Sequence, residues 1–249
     1  MPDFLLFAGT QDGRELGIEL LERGYSVLLS VATAYAIALQ PEDEKLELRQ
    51  GRLDRAGMEA LILEERPRAV IDATHPYAEI VSAELQAACK HSSTPYLRLL
   101  RERSPLPVEA RIVRTVEEAV AELKTIPGRI FLSTGSKEIA KYRELGVERL
   151  YPRVLPAAAS LEACEAAGIP RSQIIAAQGP FSYEDNLRQI RAFDIRVLVT
   201  KDGGETGGCP EKLAAASATG CEIVVIARPE ESGYSAQEIL AWAEKEPPR

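Results

Sequence analysis

The sequence predicts an α/β protein built from two Rossmann-like domains with parallel sheets, with the active site in the cleft between them. Apolar runs of strand length alternate with amphipathic stretches along the 249-residue chain, a pattern typical of helices that cover both faces of a parallel sheet. The alternation breaks at 101–111, where Pro105 and Pro107 remove backbone donors. We therefore expect a dinucleotide-binding domain over 1–104 and a second domain over 105–249 that completes the substrate cleft.

Each half supplies the elements of such a domain. In the first half the apolar periodicity predicts strands at 4–8, 26–31, 46–50, 69–73 and 96–98, and helices at 12–23, 55–65 and 77–90. In the second half it predicts strands at 130–133, 150–154, 174–177, 197–200 and 223–227, with helices between them. Helix starts are marked by three pairs that can form caps: Thr115 with Glu118, Ser182 with Asp185, and Ser235 with Glu238.

Composition excludes several classes of function. A net charge of −8 argues against nucleic acid as a partner, because binding the phosphate backbone needs clustered positive charge. The longest apolar runs fall far short of the ~20 residues that cross a bilayer, and the N-terminus leads straight into a strand without a basic region. We therefore expect no membrane segment and a cytoplasmic location. The four cysteines form no CxxC pair and have no histidine nearby, so we expect no metal site.

The loop after the first predicted strand is the first candidate for ligand binding. It begins with Gly9 and Thr10 and opens the first helix, where glycine lets a phosphate approach the backbone and free N–H groups stabilise negative charge. A tight strand-to-helix turn would also select Gly9, and the spacing is not the full GxGxxG fingerprint. The second strand ends near Ser30 and Thr33, with neither an acid nor an arginine, so the choice between NADH and NADPH stays open.

Other strand ends carry residues suited to proton transfer and anion binding. His75 follows the fourth predicted strand, where a histidine can exchange a proton near neutral pH; the alternative is that it only caps the next helix. In the second half, Thr134, Gly179 and Lys201 lie on loops that follow strands and lead towards helices, so each loop can hold an anion. The glycine-rich segment 203–208 is either a mobile lid or an ordinary connection.

Five of these segments together resemble a known family. They are Ala8-Gly9-Thr10 through Arg14, Ser30-Val31-Ala32-Thr33, Asp72-Ala73-Thr74-His75-Pro76-Tyr77-Ala78, Gly179-Pro180-Phe181 and Thr200-Lys201-Asp202-Gly203-Gly204. In this order they resemble the precorrin-6A reductases, which include the cobalt-precorrin-6A reductases of anaerobic cobalamin biosynthesis. The resemblance spans nearly the whole chain, and the Asp-Ala-Thr-His-Pro segment is its most specific part.

The resemblance implies an oxidoreductase acting on a CH–CH bond. It implies hydride transfer from NADPH or NADH to (cobalt-)precorrin-6A, with a proton added at a neighbouring carbon to give (cobalt-)precorrin-6B. It implies no metal and no flavin, an anionic tetrapyrrole as partner, and either a monomer or a homodimer. The expected catalytic residues are His75 and Lys201. The expected cofactor-binding residues are Gly9, Thr10, Gln11, Asp12, Ser30, Thr33 and Thr74. The expected substrate-binding residues are Tyr77, Arg98, Thr134, Gly179, Phe181, Lys201 and Gly203.

Such a substrate carries many carboxylates, and an acidic protein can bind them only where positively charged side chains lie close together. The candidates near strand ends are Arg98, Arg101, Arg103, Arg153 and Lys201, of which we select Arg98 and Lys201. Ordinary surface charge is the alternative for each of them.

The sequence excludes one other function and leaves a second one open. A short-chain dehydrogenase is excluded because none of the eight tyrosines has a lysine four residues later. The remaining alternative is a non-catalytic sensor that binds a dinucleotide.

Overall fold

The computed structural model describes residues 1–32, 34–101, 105–204, 208–245 and 247–248. The chain divides into two compact units, the first made of Met1–Arg101 with Glu230–Arg249 and the second of Glu102–Pro229. Each unit contains one parallel sheet with helices beside it, so the expectation of two parallel-sheet α/β domains is confirmed.

The first unit alternates strands with helices from its start. Its elements are β1 (Phe4–Ala8), α1 (Gln11–Glu22), β2 (Val27–Val31), α2 (Ala34–Ala38), β3 (Leu46–Gln50), α3 (Arg55–Glu65), β4 (Ala69–Ala73), α4 (Glu79–Ser92) and β5 (Tyr96–Arg98). The strand order is β3-β2-β1-β4-β5, and every pairing is parallel. The order reverses at β1, with β2 on one side and β4 on the other, so this is the unit's switch point.

Both faces of the first sheet are apolar because its strands are buried on both sides. On one face, Leu6 and Leu29 pack against Leu16 and Leu20 of α1. On the other face, Leu5, Leu28 and Val70 pack against side chains of α3 and α4, which include Met58, Ile62 and Leu85.

The second unit repeats the arrangement with six strands. Its elements are β6 (Arg111–Val113), α5 (Val116–Leu123), β7 (Arg129–Ser133), β8 (Leu150–Val154), α6 (Ala158–Ala166), β9 (Ile175–Ala176), α7 (Tyr183–Ala192), β10 (Ile195–Lys201), α8 (Cys209–Ala218) and β11 (Glu222–Ile226). The order is β6-β11-β10-β7-β8-β9, again fully parallel, and it reverses between β7 and β10. The apolar periodicity of the sequence does not predict the short elements β6 and α2.

The C-terminal segment corrects the expected extent of the second domain, 105–249. Helix α9 (Ala236–Ala243) packs in the core of the first unit, where the Trp242 ring meets the Phe4 ring edge-on at 6.2 Å. The Tyr25 hydroxyl donates to the Ala243 carbonyl oxygen at 2.9 Å. Sequence periodicity identifies the apolar face of α9 but cannot show which of two similar sheets that face covers.

The predicted helix caps are present in two different forms. Ser182 and Asp185 form a complete capping box at α7, and Ser235 and Glu238 form one at α9. The Thr115 hydroxyl caps α5 by accepting the Glu118 N–H, but the Glu118 carboxylate accepts the N–H of Arg114 instead of that of Thr115. Within the described ranges, no helix is long and apolar enough to cross a membrane.

Candidate functional site

The loops after β1 and β4 meet at the switch point of the first unit. Thr10 is the N-cap of α1, and its hydroxyl oxygen accepts the Gly13 N–H at 3.1 Å. The same hydroxyl donates to the Ala73 carbonyl oxygen at 3.1 Å. Thr10, expected to contact a cofactor, therefore uses its hydroxyl to fasten the helix start to the end of β4.

Two glycines of this loop have opposite surroundings. A Cβ placed on Gly9 has no atom within 4 Å, so its backbone faces open space. A Cβ placed on Gly13 would lie 2.8 Å from the Ala73 Cβ and 3.1 Å from the Ala8 Cβ. Gly13 thus allows α1 to approach β1 and β4 closely, a role that the sequence analysis missed. The spacing Gly9-x3-Gly13-x3-Gly17, with Ala8 closing the preceding strand, was the available signal.

A small, open depression lies beside these loops. Its lining residues are Thr10, Asp12, Ala73, Thr74, Pro76, Leu99 and Arg101. Asp12, an expected cofactor contact, pairs with the Arg101 guanidinium at 2.5 Å, which balances the acidic charge at the helix start. Gln11 is exposed and donates to Glu15 on the same helix. The depression therefore combines a hydroxyl-capped helix start with an Asp–Arg pair.

The end of β2 carries two residues expected at the cofactor, Ser30 and Thr33. Ser30 is buried and lies opposite Phe7 of β1 in the sheet register. Thr33, the other residue expected there, lies outside the described residues.

The carboxylate of Asp72 is the centre of a hydrogen-bond network in the first unit. Asp72 is fully buried in β4 and accepts hydrogen bonds from the Thr74 N–H (3.0 Å), the Thr74 hydroxyl (2.7 Å), the Tyr96 hydroxyl (2.7 Å) and the Arg98 guanidinium (2.8 Å). Burial alone raises the pKa of Asp72, but the Arg98 charge and the hydroxyl donors outweigh it, so the pKa lies below its ordinary value. The group is therefore a charged, structural anion.

Arg98, expected to bind a substrate carboxylate, is paired with acids of its own unit. Its side chain is 5% exposed and is paired with Asp72 and, at 2.9 Å, with Glu231 of the C-terminal segment. It also donates to the Thr74 carbonyl oxygen. The carboxylates of Asp72 and Glu231 thus balance the charge of Arg98. The sequence alone does not show that either acid lies next to Arg98. Thr74, expected at the cofactor, belongs to the same network through its hydroxyl and backbone.

His75 lies just beyond this network on the β4–α4 loop and is exposed. Its Nδ1 accepts the Tyr77 N–H at 3.3 Å, and the two rings lie 5.6 Å apart. An Nδ1 that accepts leaves the proton of the neutral ring on Nε2. His75 is therefore held on an exposed loop as a potential donor, with Tyr77 beside it.

In the second unit, the ends of β7 and β10 are neighbours at the switch point. The Lys201 ammonium pairs with Glu138 at 3.3 Å, and Glu138 also accepts from Lys141 at 2.7 Å. The Lys141 hydrogen bond and the Lys201 charge hold the pKa of Glu138 below its ordinary value. Thr134, half-buried, lies on the same β7 loop. Lys201 thus reaches the expected strand end but has a carboxylate partner there.

The loop after β10 is held by an ion pair between Asp202 and Arg228, and Arg228 is not among the cations selected from the sequence. Arg228 follows β11 and forms a two-pronged pair with Asp202, with both contacts at 3.1 Å. Gly203 is buried, and Gly204 has a φ of +73°, which favours glycine. The position of Arg228 directly after a predicted strand was the usable signal.

The third loop of the second unit places an aromatic ring on a buried cation. Phe181 stacks on the Arg153 guanidinium, with 3.9 Å between the guanidinium carbon and the ring centroid. A Cβ on Gly179 would lie 3.2 Å from the Phe181 ring, so glycine gives the ring its room. Gly179 and Phe181, expected to bind substrate, thus shape the surroundings of Arg153.

Comparisons with known proteins place this architecture in a family. The model of the precorrin-6x reductase family CbiJ/CobK matches residues 3–244. The chain belongs to this family. It is 36% identical to a cobalt-precorrin-6A reductase from Salmonella typhimurium, over 91% of this chain and 88% of the relative. It is 34% identical to a cobalt-precorrin-6A reductase from Priestia megaterium, over 90% of both chains.

Relatives named for both substrate forms occur among the matches. A precorrin-6A reductase from Mycobacterium tuberculosis is 31% identical over 92% of this chain and 90% of the relative. The solved structure of CobK precorrin-6A reductase superimposes with a TM-score of 0.80 at 25% identity, covering 98% of this chain and 97% of that chain. These matches confirm the resemblance to the precorrin-6A reductases that the five sequence segments indicate.

The buried Asp72–Arg98 pair generates a prediction about acid stability. Asp72→Asn should lower the free energy of unfolding at pH 7 by about 3 kcal/mol or more, because it removes one partner of a buried ion pair. The folded-state pKa of Asp72 is lowered, so wild-type protein should lose this contribution as the pH falls below about 4, whereas the variant should not. Urea unfolding between pH 3 and pH 7 measures both effects.

Glu19→Gln is the control because Glu19 pairs with Arg23 at the surface. It should change stability by no more than ~0.5 kcal/mol. Equal stability of Asp72→Asn and wild type at pH 7 would contradict the structural role of the network.

Proposed function

We propose that this chain reduces (cobalt-)precorrin-6A to (cobalt-)precorrin-6B with a reduced nicotinamide dinucleotide. The observation that carries the proposal is the Gly9–Thr10 loop, which lies where the strand order reverses in a member of the CbiJ/CobK family. Parallel α/β sheets bind nucleotides at such positions. The named activity of the relatives supplies the substrate class.

The residues at the switch point fit a dinucleotide. The open space at Gly9 lets a pyrophosphate approach the backbone, and the first N–H groups of α1 lie at the positive end of a 12-residue helix. Gly9 and the start of α1 would hold the pyrophosphate, while the Thr10 hydroxyl keeps the loop in place. When bound, the reduced nicotinamide supplies the hydride that the macrocycle gains together with one proton.

Either nicotinamide dinucleotide can serve in this proposal. The end of β2 offers no carboxylate for a ribose hydroxyl and no arginine for a 2′-phosphate over Ser30 to Ala32. Discrimination between NADH and NADPH must therefore come from other contacts. The activity of the protein should be measured with each dinucleotide in turn.

His75 is the proposed donor or positioning group on the first unit. It is exposed, it follows β4 at the ligand edge of the sheet, and its Nδ1 contact with Tyr77 fixes the orientation of the ring. In this position the ring can hold the substrate or relay the proton that completes the reduction. Lys201 is the corresponding candidate on the second unit, where Glu138 keeps its ammonium at the end of β10.

The first prediction of the proposal concerns the reaction itself. Purified protein should consume NADPH or NADH only when precorrin-6A or its cobalt form is present, with one dinucleotide oxidised per dihydro product. Nicotinamide absorbance and product mass, which increases by two hydrogens, measure this stoichiometry. Tight dinucleotide binding without consumption in the presence of either tetrapyrrole would instead support the sensor.

The second prediction separates binding from folding at the glycine loop. Gly9→Val should weaken dinucleotide binding at least tenfold while leaving the melting temperature near that of wild type, because its side chain enters open space needed by the phosphate. Gly13→Ala is the contrast: its Cβ meets Ala73 at 2.8 Å, so it should cost about 1–3 kcal/mol of stability. Calorimetric binding and thermal unfolding test both; unchanged affinity in folded Gly9→Val rejects the site.

The third prediction concerns His75. If this ring is the acid, His75→Ala should lower kcat about 10²-fold or more, because an acid or base in the transition state contributes that much. His91→Ala is the matched control, since His91 is the other histidine and lies near the exposed end of α4. If the two variants have rates within about twofold of each other at every pH where the protein is active, His75 is not the acid. Its role is then only to stabilise the loop.

A further inference from the structure

Two buried cations of the second unit form no direct ion pair among the described residues, and only the more distant Asp185 charge raises the pKa of Arg153 against its burial. Arg153 of β8 and Lys212 of α8 are only 8% and 9% exposed. Other largely buried cations in this protein are paired with an acid: Arg98 with Asp72, Arg101 with Asp12, and Arg228 with Asp202. A buried charge without a partner is costly, so its retention calls for a ligand.

The contacts of Arg153 leave part of its guanidinium available. Nη1 donates to the side-chain oxygens of Asn186 and Gln189, both at 2.9 Å, and these amides carry no charge. The Phe181 ring lies over the guanidinium at 3.9 Å and the Phe131 ring at 5.0 Å. The rings and amides fix the plane of the group, while the N–H donors of Nε and Nη2 have no partner among the described residues.

Lys212 lies in the same neighbourhood. It lies on α8, which packs beside α7, and its helix shares an apolar core with Phe131 and Tyr151. Tyr151 and Arg153 are two positions apart on β8 and therefore face the same side of the sheet. Burial, assisted by the Arg153 charge, lowers the pKa of Lys212 to about 8 against the opposing effects of Cys209 and Glu211. No carboxylate of the described residues forms an ion pair with either cation.

We infer that Arg153 and Lys212 together bind a carboxylate of the tetrapyrrole substrate. This inference rests on the proposed function for the identity of the ligand. A guanidinium held in one plane offers the paired donors that match a carboxylate, and the ammonium adds a second positive charge. Both cations come from elements near the carboxyl end of the sheet, since Arg153 is the fourth of five residues in β8 and α8 follows β10.

Kinetics with matched variants test the inference. Lys212→Met and Arg153→Lys should each raise KM for the tetrapyrrole about tenfold or more, because each loses a charge-assisted contact, while KM for the dinucleotide stays within twofold. Lys124→Met is the control, because Lys124 is exposed and paired with Glu144 at the surface of the same unit. Without substrate, Lys212→Met should also melt at or above the wild-type temperature, since it removes a desolvated charge.

A binding measurement keeps the inference separate from the proposed reaction. Uroporphyrin, a stable polycarboxylate tetrapyrrole, should bind wild-type protein and the Lys124→Met variant but bind Lys212→Met about tenfold more weakly by fluorescence. This result supports the anion site even if no reduction of precorrin-6A is observed.

Three outcomes would overturn the inference. One is equal tetrapyrrole KM and equal uroporphyrin affinity in Lys212→Met, Arg153→Lys and wild type. The second is failure of wild-type protein to bind uroporphyrin. The third is loss of NADPH affinity alone in the two variants, which would assign the cations to a cofactor phosphate.

Discussion

The buried carboxylate of Asp72 is the interaction on which the first unit depends. A charge without access to water is stable only when donors surround it, and here Thr74, Tyr96 and Arg98 supply them. Because Thr74 donates through both its N–H and its hydroxyl, the carboxylate fixes the first turn of the β4–α4 loop. The position of His75, the next residue, follows from this turn.

Arg98 extends the same constraint to the end of the chain. Its second partner is Glu231, and backbone hydrogen bonds join Tyr234 to Arg98 and Leu100 beside that pair. These contacts hold the returning segment against β5 before α9 packs onto the first sheet. The electrostatic network and the apolar core of the first unit therefore both hold the C-terminal segment, which is remote in sequence, against the first sheet.

Charge pairing divides the cations of this acidic protein into two groups. Arg98, Arg101 and Arg228 are neutralised by acids within their own unit and shape loops. Arg153 lies among aromatic rings and neutral amides, and Lys212 is buried without an ion pair among the described residues. The first group stabilises the protein without a ligand, whereas the second is the pair that we infer to bind an anion. Whether a buried cation is paired with an acid is thus more informative about its function than whether it lies near the end of a strand.

The sequence by itself determined the parallel α/β class, most strand positions, the family and the loops at the strand ends, because these depend on local periodicity and on contiguous motifs. Only the tertiary structure decided which sheet α9 covers and that Gly13 rather than Gly9 is packed against Ala73. It also decided that Arg98 is paired with acids, whereas Arg153 donates its hydrogen bonds to neutral amides. Those outcomes depend on contacts between residues far apart in sequence, such as Asp72 with Arg98, which are 26 positions apart, and Tyr25 with Ala243, which are 218 positions apart. Charge balance in a buried site is a property of all its neighbours in space, and a linear pattern of residue types does not contain that information.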